Sequence, residues 1–343
     1  MKFNNILKVE KGCLIKIYEI LYKYNINGKI LFVTDPIVEE LYGKQVCSQI
    51  EKLGEFHREY VNNNTIEYSM KLAEKIINND VDYIIGLGGG KVLDVCKYAA
   101  YVSKKVFISI PTTIANDGIA SPIAVLKKND SKPKSLGCSI PEIIIIDTDL
   151  IKNSPIQLIK AGIGDAISNY MALIDWEFAC KKNKDVMNSF AYLIAKNSLD
   201  ALMNTEFNEI CDEFINVLAN SLILSGIAME FAGSSRPVSG SEHLFSHALD
   251  YYSETNNLHG IQVALGTIAI LKLLNFDYKH LLNYLNKFEV DINPKRLGIS
   301  KEVFIKCMQN ATTMRSNRYT YLHELNLNNK ILKNLYDELV EEL

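Results

Sequence analysis

The most telling segment of the chain reads Tyr83-Ile84-Ile85-Gly86-Leu87-Gly88-Gly89-Gly90-Lys91-Val92-Leu93-Asp94. An apolar, β-branched run ends in three consecutive glycines and passes into a helical pattern. Glycines let a ligand approach the backbone closely, and the free N–H groups at a helix start attract an anion such as pyrophosphate. The spacing differs from GxGxxG, so the segment predicts either a phosphate-binding turn or a tight turn without a ligand.

Similar strand patterns flank this segment. Strands are predicted at 29–34, 56–61, 83–87, 106–110 and 143–147, with helices at 37–53 and 66–77 between them. This alternation indicates a parallel sheet with crossover helices. Later segments read as helices at 156–180, 209–231, 240–251, 260–274 and 301–316. We therefore predict an α/β, Rossmann-like dinucleotide-binding domain at 1–153 and an all-α metal- and substrate-binding domain at 154–343.

Composition narrows the class of protein. Of the 343 residues, 48% are hydrophobic and 22% are charged, which argues against a long disordered region. The 37 basic and 40 acidic residues are scattered and give a net charge of -3, so we expect no nucleic-acid partner.

Cysteine usage and hydropathy suggest a compartment. The seven cysteines are dispersed without a CxxC pair, as free thiols in a reducing cytoplasm would be. No signal-peptide run and no stretch of about 20 apolar residues is evident, so we expect a cytoplasmic protein without membrane insertion.

Three of the six histidines cluster in one region, at His243, His247 and His259. His243 and His247 are four residues apart and would share one helix face. With Asp165 from another helix, the cluster would offer two nitrogen ligands, one oxygen ligand and a spare imidazole, which suits a catalytic metal with an open position. A hydrogen-bonded structural pair of histidines is the alternative.

Two further segments are candidate ligand sites. The loop 111–122 follows a strand, at the sheet edge where α/β proteins bind ligands, and carries small hydroxyl residues together with Asp117. Asp35 ends an earlier strand, where a carboxylate would accept hydrogen bonds from the adenosine ribose and favour NAD over NADP. An ordinary turn and a helix N-cap are the respective alternatives.

Taken together, these motifs resemble the glycerol-1-phosphate dehydrogenases, members of the iron-containing alcohol dehydrogenase and dehydroquinate synthase-like superfamily. The resemblance covers about residues 29–259 with all motifs in order. It rests on Gly88-Gly89-Gly90-Lys91-Val92-Leu93-Asp94, Pro111-Thr112-Thr113, Asn116-Asp117-Gly118-Ile119-Ala120-Ser121-Pro122, Gly162-Ile163-Gly164-Asp165, and Gly233-Ser234-Ser235-Arg236-Pro237 through His247. General glycerol dehydrogenases share the glycine run and the metal scheme, but they match the 117–122 and 234–243 strings less closely.

The resemblance implies a dehydroquinate synthase-like fold in which Asp165, His243 and His259 bind the metal. Asp117, Asp165 and His247 would contact the substrate, and Asp117 and His247 would be catalytic. The implied contacts to the dinucleotide, besides Asp35, are Gly88, Gly89, Gly90, Lys91, Val92, Asp94, Thr112, Thr113, Ala115 and Ser121.

The implied activity is reversible hydride transfer from NAD(P)H to C2 of dihydroxyacetone phosphate, giving sn-glycerol 1-phosphate for phospholipid metabolism. The proton would arrive through His247, whose unperturbed pKa is near 6.5, or through metal-bound water; alternatively, His247 merely orients the site. Arg236 is our candidate for the substrate phosphate, because its planar fork matches phosphate oxygens; capping a helix or pairing with a carboxylate are the alternatives.

Two departures from the family pattern affect the metal and the substrate. Asn116 stands where many of these enzymes have histidine, and Asn169 stands where iron-type alcohol dehydrogenases have an additional histidine ligand. The second departure favours three protein ligands, with zinc preferred and nickel or iron as alternatives.

The remaining alternatives concern the reaction. A glycerol or other small-polyol dehydrogenase is the second candidate, a dehydroquinate synthase-like lyase the third, and a nucleotide-binding protein without catalysis the fourth. The resemblance also implies a homo-oligomer that acts on a small phosphorylated polyol.

Overall fold

The chain divides into two compact units in a computed structural model that describes residues 6–128 and 133–343. The first unit extends to Ile114 and resumes from Gly118 to Pro155, and the second contains Ala115–Asp117 and Ile156–Leu343. The boundary thus follows Pro155, close to the predicted residue 153. Ala115 and Asp117, which were expected in the first domain, belong to the second unit.

The first unit is built on a six-stranded sheet, parallel throughout, in the order β1-β8-β5-β4-β2-β3. The strands are β1 (Ile6–Glu10), β2 (Ile30–Thr34), β3 (Phe56–Tyr60), β4 (Tyr83–Gly88), β5 (Val106–Pro111), β6 (Ile123–Lys127), β7 (Pro133–Gly137) and β8 (Ile143–Asp147). Every residue of β2 and β8 is buried, as expected for strands covered on both faces. The antiparallel pair β6–β7 forms a separate hairpin.

Six α-helices belong to the described residues of this unit. They are α1 (Ile17–Lys23), α2 (Pro36–Val38), α3 (Lys44–Ile50), α4 (Ile66–Asn78), α5 (Gly90–Ser103) and α6 (Thr148–Lys152). The predicted Rossmann-like sheet is confirmed. The single helix predicted at 37–53 is instead divided by a π-helical turn at Glu39–Gly43 and ends in a 3-10 turn at Glu51–Leu53.

The strand order reverses between β2 and β4. From β2 the chain continues to β3 on one side, and from β4 it continues to β5 on the other. Open α/β sheets bind ligands at the carboxyl ends of the strands at such a switch point. Asp35 directly follows β2, and the glycine run ends β4 at Gly88 and continues to Gly90, so the topology brings both predicted motifs to this position.

In the second unit, all the regular elements described between Ile156 and Leu343 are helices. Its helices are α7 (Ile156–Lys181), α8 (Ser189–Met203), α9 (Asp212–Ala232), α10 (Ser241–Tyr252), α11 (His259–Leu273), α12 (Lys279–Lys287), α13 (Lys301–Asn310) and α14 (Asn329–Glu342). The predicted all-helical character of this part of the chain is thereby confirmed.

Among the described residues, α9 is long and apolar enough to cross a membrane by length and composition. The helix also contains Asn216, Asn220, Ser221 and Ser225, so it is not a continuous apolar run. Of its apolar window, 61% is buried inside the protein, which is typical of a core helix.

Candidate metal and dinucleotide sites

Three helices of the second unit bring Asp165, His243 and His259 together. One ligand atom from each lies within 4.8 Å of those of the other two, and Asp165 Oδ1 is 3.7 Å from His259 Nε2. Ligand atoms around a tetrahedral ion at ~2.1 Å would be about 3.4 Å apart, so a small adjustment accommodates one metal. Two imidazoles and a carboxylate form a donor set that suits a divalent transition metal.

A close crossing of α7 and α11 explains why these ligands meet. A Cβ atom on Gly164 would lie 2.3 Å from the carbonyl oxygen of Gly260, and one on Gly260 would lie 1.9 Å from that of Ala161. Only glycine allows this approach. Asp165 directly follows Gly164, and His259 directly precedes Gly260. The helix crossing therefore sets the distance between the carboxylate and the imidazole.

His259 is oriented by a chain of polar side chains. Ser246 donates its hydroxyl hydrogen to Gln262 Oε1 at 2.6 Å, so it accepts from His259 Nδ1 at 3.1 Å. Gln262 in turn donates to Asp250 at 3.1 Å. The proton of His259 therefore resides on Nδ1, which leaves the lone pair of Nε2 directed toward Asp165.

Glu242 orients His243 in the same way. Its Oε1 accepts from His243 Nδ1 at 2.8 Å and from the Gly240 N–H at 2.6 Å. Burial raises the pKa of the Glu242 carboxyl to about 7. This bond to Nδ1 leaves His243 Nε2 as the free ligand atom.

The electrostatics of the three residues favour a bound cation. Burial lowers the pKa of His243 and of His259 to about 3, so both imidazoles are neutral, as ligation requires. Burial and the neighbouring charge of Asp117 raise the pKa of Asp165 well above its usual value, although the Asp117 N–H donates to Asp165 Oδ2 at 2.9 Å. A divalent ion would offset this cost of ionising a buried carboxyl.

His247 lies one helical turn beyond His243 and stands apart from the three ligands. Its ring centroid is 6.4 Å from that of His243 and 6.5 Å from that of His259, whereas the latter two are 4.9 Å apart. Its Nε2 is buried without a hydrogen-bond partner. The expected pKa near 6.5 is wrong, because burial and then the positive charge of Arg315 lower the pKa well below that value.

Asn169, at the position of the additional histidine ligand in iron-type enzymes, does not join the cluster. Its side-chain amide donates to Ser225 on α9 at 2.8 Å, so it connects α7 to α9.

In the first unit, the glycine run forms an open helix start at the end of β4. Gly89 is the N-cap of α5 without a side-chain cap, and a Cβ on Gly90 would meet nothing within 4 Å. Thr112 N–H donates to the Gly88 carbonyl at 3.0 Å, and Thr113 Oγ1 is 3.6 Å from the position of a Gly89 Cβ. The Val92 N–H donates to the Gly89 carbonyl at 3.0 Å, whereas the N–H groups of Gly90 and Lys91 come before the first carbonyl of the helix that could accept from them, which fits an anion site.

Asp35 is the N-cap of α2, which was the alternative to a contact with the ribose. Its Oδ1 accepts from the N–H groups of Ile37 and Val38, both at 3.0 Å. These bonds use one carboxylate oxygen and leave Oδ2 outside the cap, at the carboxyl end of β2.

Other predicted dinucleotide residues are bonded within the protein. Asp94 accepts from Val125 N–H at 3.1 Å and from Lys97 at 3.4 Å, and burial raises its pKa. Ser121 donates to Ile123 O at 3.3 Å, and Lys91 donates to Asn62 O at 2.7 Å. Val92 is buried against Gly88. Asp94 thus connects α5 to the hairpin strand β6, and Ser121 connects the preceding loop to the same strand.

Arg236 pairs with a carboxylate, one of its two alternative roles. Its Nε lies 2.7 Å from Asp185 Oδ2, and its Nη2 donates to the Tyr319 carbonyl at 2.5 Å. Two other arginines, Arg315 and Arg318, approach Ser235 instead.

Several site residues were missed by the sequence analysis. Glu242 and Ser246 lie within the quoted histidine string, and their positions beside the ligands were the available signal. Gln262 is three residues beyond His259, whereas Arg315 and Arg318 are more than 50 positions beyond it and become apparent only when the helices pack.

Comparison with known proteins identifies the family of the chain. A sequence model of the family described as iron-containing alcohol dehydrogenase matches residues 8–155. The chain is 37% identical to "Glycerol-1-phosphate dehydrogenase [NAD(P)+]" of Hyperthermus butylicus, over 93% of this chain and 92% of the relative. It is 38% identical to the protein of the same name from Archaeoglobus fulgidus, over 85% of each.

Among solved structures, glycerol dehydrogenase from Schizosaccharomyces pombe matches with a TM-score of 0.80 at 21% identity, covering 98% of this chain and 89% of that one. This likeness concerns the fold. The identities to the two relatives extend over nearly the whole chain, and the chain therefore belongs to the glycerol-1-phosphate dehydrogenase family of iron-containing alcohol dehydrogenases.

Proposed function

We propose that this protein catalyses the reversible NAD(P)-linked interconversion of dihydroxyacetone phosphate and sn-glycerol 1-phosphate at one divalent metal ion. The observation that carries the proposal is the convergence of Asp165, His243 and His259 beside the unpartnered Nε2 of His247. The names of the relatives support the same reaction.

Asp165, His243 and His259 would hold the metal, with zinc preferred over nickel and iron because the donor set is two imidazoles and one carboxylate. When bound, the ion supplies Lewis-acid polarisation of the substrate carbonyl. Hydrogen bonds from Ser246 and Glu242 keep the two ligand nitrogens in place, and Asp165 supplies the one negative charge.

The open start of α5 at Gly89 and Gly90 would hold the pyrophosphate of the dinucleotide, with Thr112 and Thr113 beside it. NAD(P)H supplies the hydride when bound. The free Oδ2 of Asp35 would accept from a ribose hydroxyl and disfavour a 2'-phosphate, which favours NAD. Gly88, Lys91, Val92, Asp94, Ala115 and Ser121 complete the proposed set of contacts.

The chain's own side chains would orient the substrate and move the proton. Asp117, whose backbone contacts Asp165, would hydrogen-bond a substrate hydroxyl. His247 is neutral because of its lowered pKa, so it would hold the substrate oxygen by a hydrogen bond from Nε2–H. The proton that the product oxygen gains would come from solvent by way of this imidazole, with Nδ1 taking up a proton as Nε2 releases one.

We also propose a cytoplasmic homo-oligomer without nucleic-acid or membrane partners. All seven cysteines are free thiols, as a reducing compartment permits. Light scattering coupled to size exclusion tests the oligomer, and a purely monomeric protein at assay concentration would contradict it.

A spectrophotometric assay tests the function. Metal-reconstituted protein should oxidise NADH or NADPH with dihydroxyacetone phosphate faster than with dihydroxyacetone. Preference for free dihydroxyacetone and glycerol would support the polyol dehydrogenase instead. Release of inorganic phosphate without net NAD(P)H consumption would indicate a lyase.

A further inference from the structure

We infer that Arg315, supported by Arg318, binds the substrate phosphate and decides the preference for a phosphorylated polyol. The inference rests on the proposed function and deepens it, since it names the residues that recognise the phosphate. It replaces Arg236, whose Nε pairs with Asp185 and whose Nη2 donates to the Tyr319 carbonyl, although its Nη1 is buried without a hydrogen-bond partner.

The two guanidinium groups converge on one hydroxyl. Arg315 Nη1 donates to Ser235 Oγ at 3.1 Å, and Arg318 Nη2 donates to the same atom at 2.9 Å. Two like charges held this close repel each other, and an anion between or beside them removes that cost.

Burial makes the repulsion more costly. Arg318 is only 7% exposed, and the partners of its two Nη atoms are neutral: the Ser235 hydroxyl and the Ser239 carbonyl. Burial, followed by the charges of Arg315 and Arg236, lowers the pKa of Arg318 to about 9. Of the nearby carboxyls, Asp185 is paired with Arg236.

The pair lies beside the metal ligands in the same unit. Ser235 and Ser239 belong to the segment that leads into α10, the helix carrying His243 and His247. Arg318 Nη1 donates to the Ser239 carbonyl, four residues before His243. In a three-carbon substrate, the phosphate is a few bonds from the oxygens at the metal, and the planar fork of arginine matches phosphate oxygens.

Steady-state kinetics of an Arg315→Met variant, with dihydroxyacetone phosphate and dihydroxyacetone as alternative substrates, tests this role. We expect kcat/KM for the phosphorylated substrate to fall roughly 100-fold or more, because a desolvated charged hydrogen-bonded contact is lost. The value for dihydroxyacetone should fall far less, since that substrate never used the contact, so the preference for the phosphorylated substrate should collapse. Inorganic phosphate should inhibit wild type competitively against dihydroxyacetone phosphate and the variant at least ~10-fold more weakly.

Two further variants make the test specific. Arg315→Lys keeps the charge without the fork and should fall between wild type and Arg315→Met. Arg296→Met removes an exposed arginine paired with Asp291 in the same unit and should leave both substrates unaffected. Melting temperatures identify a variant that fails to fold, in which case Arg315→Lys carries the comparison.

The failures can be told apart. A wild-type protein without preference for dihydroxyacetone phosphate overturns the proposed function together with this inference. A wild-type preference that survives in Arg315→Met overturns the inference alone. A variant that changes the KM for NADH or NADPH while dihydroxyacetone phosphate is unaffected would assign the arginine pair to the dinucleotide and also overturn it.

Discussion

Ser246 and Glu242 determine which nitrogen of each imidazole is free to bind a metal. Each contacts an Nδ1 atom, at 3.1 Å in His259 and 2.8 Å in His243. Without such a partner an imidazole changes tautomer and rotates, which weakens ligation. The metal affinity of the site should therefore depend on residues that never touch the ion.

Replacing Ser246 by alanine tests this dependence. We expect the Ser246→Ala variant to bind zinc roughly 10- to 100-fold more weakly, because His259 loses the acceptor that fixes its Nδ1 proton. Competition with a fluorescent chelator measures the affinity independently of activity. Ser48→Ala, at an exposed position of α3, is the control, and equal zinc affinity in both variants would show that the hydrogen bond does not orient the ligand.

Single residues show how far the sequence could be interpreted. The spacing of His243 and His247 suggested a pair on one face, but only the family resemblance selected His259 over His247 as a ligand. The pKa of His247 depends on burial and on Arg315, which is 68 positions away along the chain, and local sequence does not reveal such charges. For Arg236, the carboxylate partner Asp185 lies 51 positions away and was equally invisible.

Helices α7 and α11 assemble the site through backbone contact. The glycines at 164 and 260 let the two helices approach until backbone atoms touch, next to Asp165 and His259. A methyl group at either position would force the helices apart and separate the carboxylate from the imidazole.

A Gly260→Ala variant should therefore lose both stability and metal. We expect a decrease of about 1–3 kcal/mol or more in the free energy of unfolding, the usual cost of overpacking, since a Cβ would lie 1.9 Å from the Ala161 carbonyl oxygen. Urea unfolding and zinc titration measure the two effects. The control is Gly137→Ala, where a Cβ meets nothing within 4 Å. Should both variants unfold alike and bind zinc alike, the crossing does not set the ligand distance.

The elements that the sequence missed share a physical reason. The strand β1 lies at the sheet edge with Lys8 and Glu10 partly exposed, so it lacks the apolar run of the central strands. The β7 strand of the hairpin contains Pro133 and Gly137, which ordinarily indicate turns. Central strands were predictable because burial on both faces requires a continuous apolar run, and long helices were predictable because burial of one face requires a periodic apolar pattern. Edge strands have no such requirement.

Taken over the whole molecule, the architecture was predictable from the order of motifs, whereas the charge balance of the helical unit was not. Burial raises the pKa of Asp175 and of Glu242 to about 7, and it lowers the pKa of His243 and of His259 to about 3. Between about pH 4.5 and 6.5 the folded acids hold protons that the unfolded chain lacks, whereas the folded histidines lack protons that the unfolded chain holds. The two groups therefore have opposite effects on stability in this range.

Acidification should reveal this balance in an Asp175→Asn variant. Asp175 is fully buried, and it accepts from the Ser241 N–H at 2.6 Å and from the Tyr321 N–H at 2.8 Å. Its folded pKa of about 7 exceeds the unfolded value of about 3.9, so its contribution to stability grows as pH falls from 7 toward 4. The variant lacks that contribution, whereas the histidines still oppose folding in acid.

Metal-free Asp175→Asn should therefore lose stability relative to wild type as pH falls from 6.5 to 4.5. One proton corresponds to about 1.4 kcal/mol per pH unit, so the difference in unfolding free energy should change by roughly 2–3 kcal/mol over this range. Urea titrations in the presence of a chelator, at half-unit pH steps, measure it. Asp277→Asn, at a carboxylate whose side chain is 74% exposed, should follow wild type. Stability curves of Asp175→Asn and wild type that stay parallel in pH would mean that Asp175 is ionised in the folded protein, and that the charge of this helical unit is balanced by other groups.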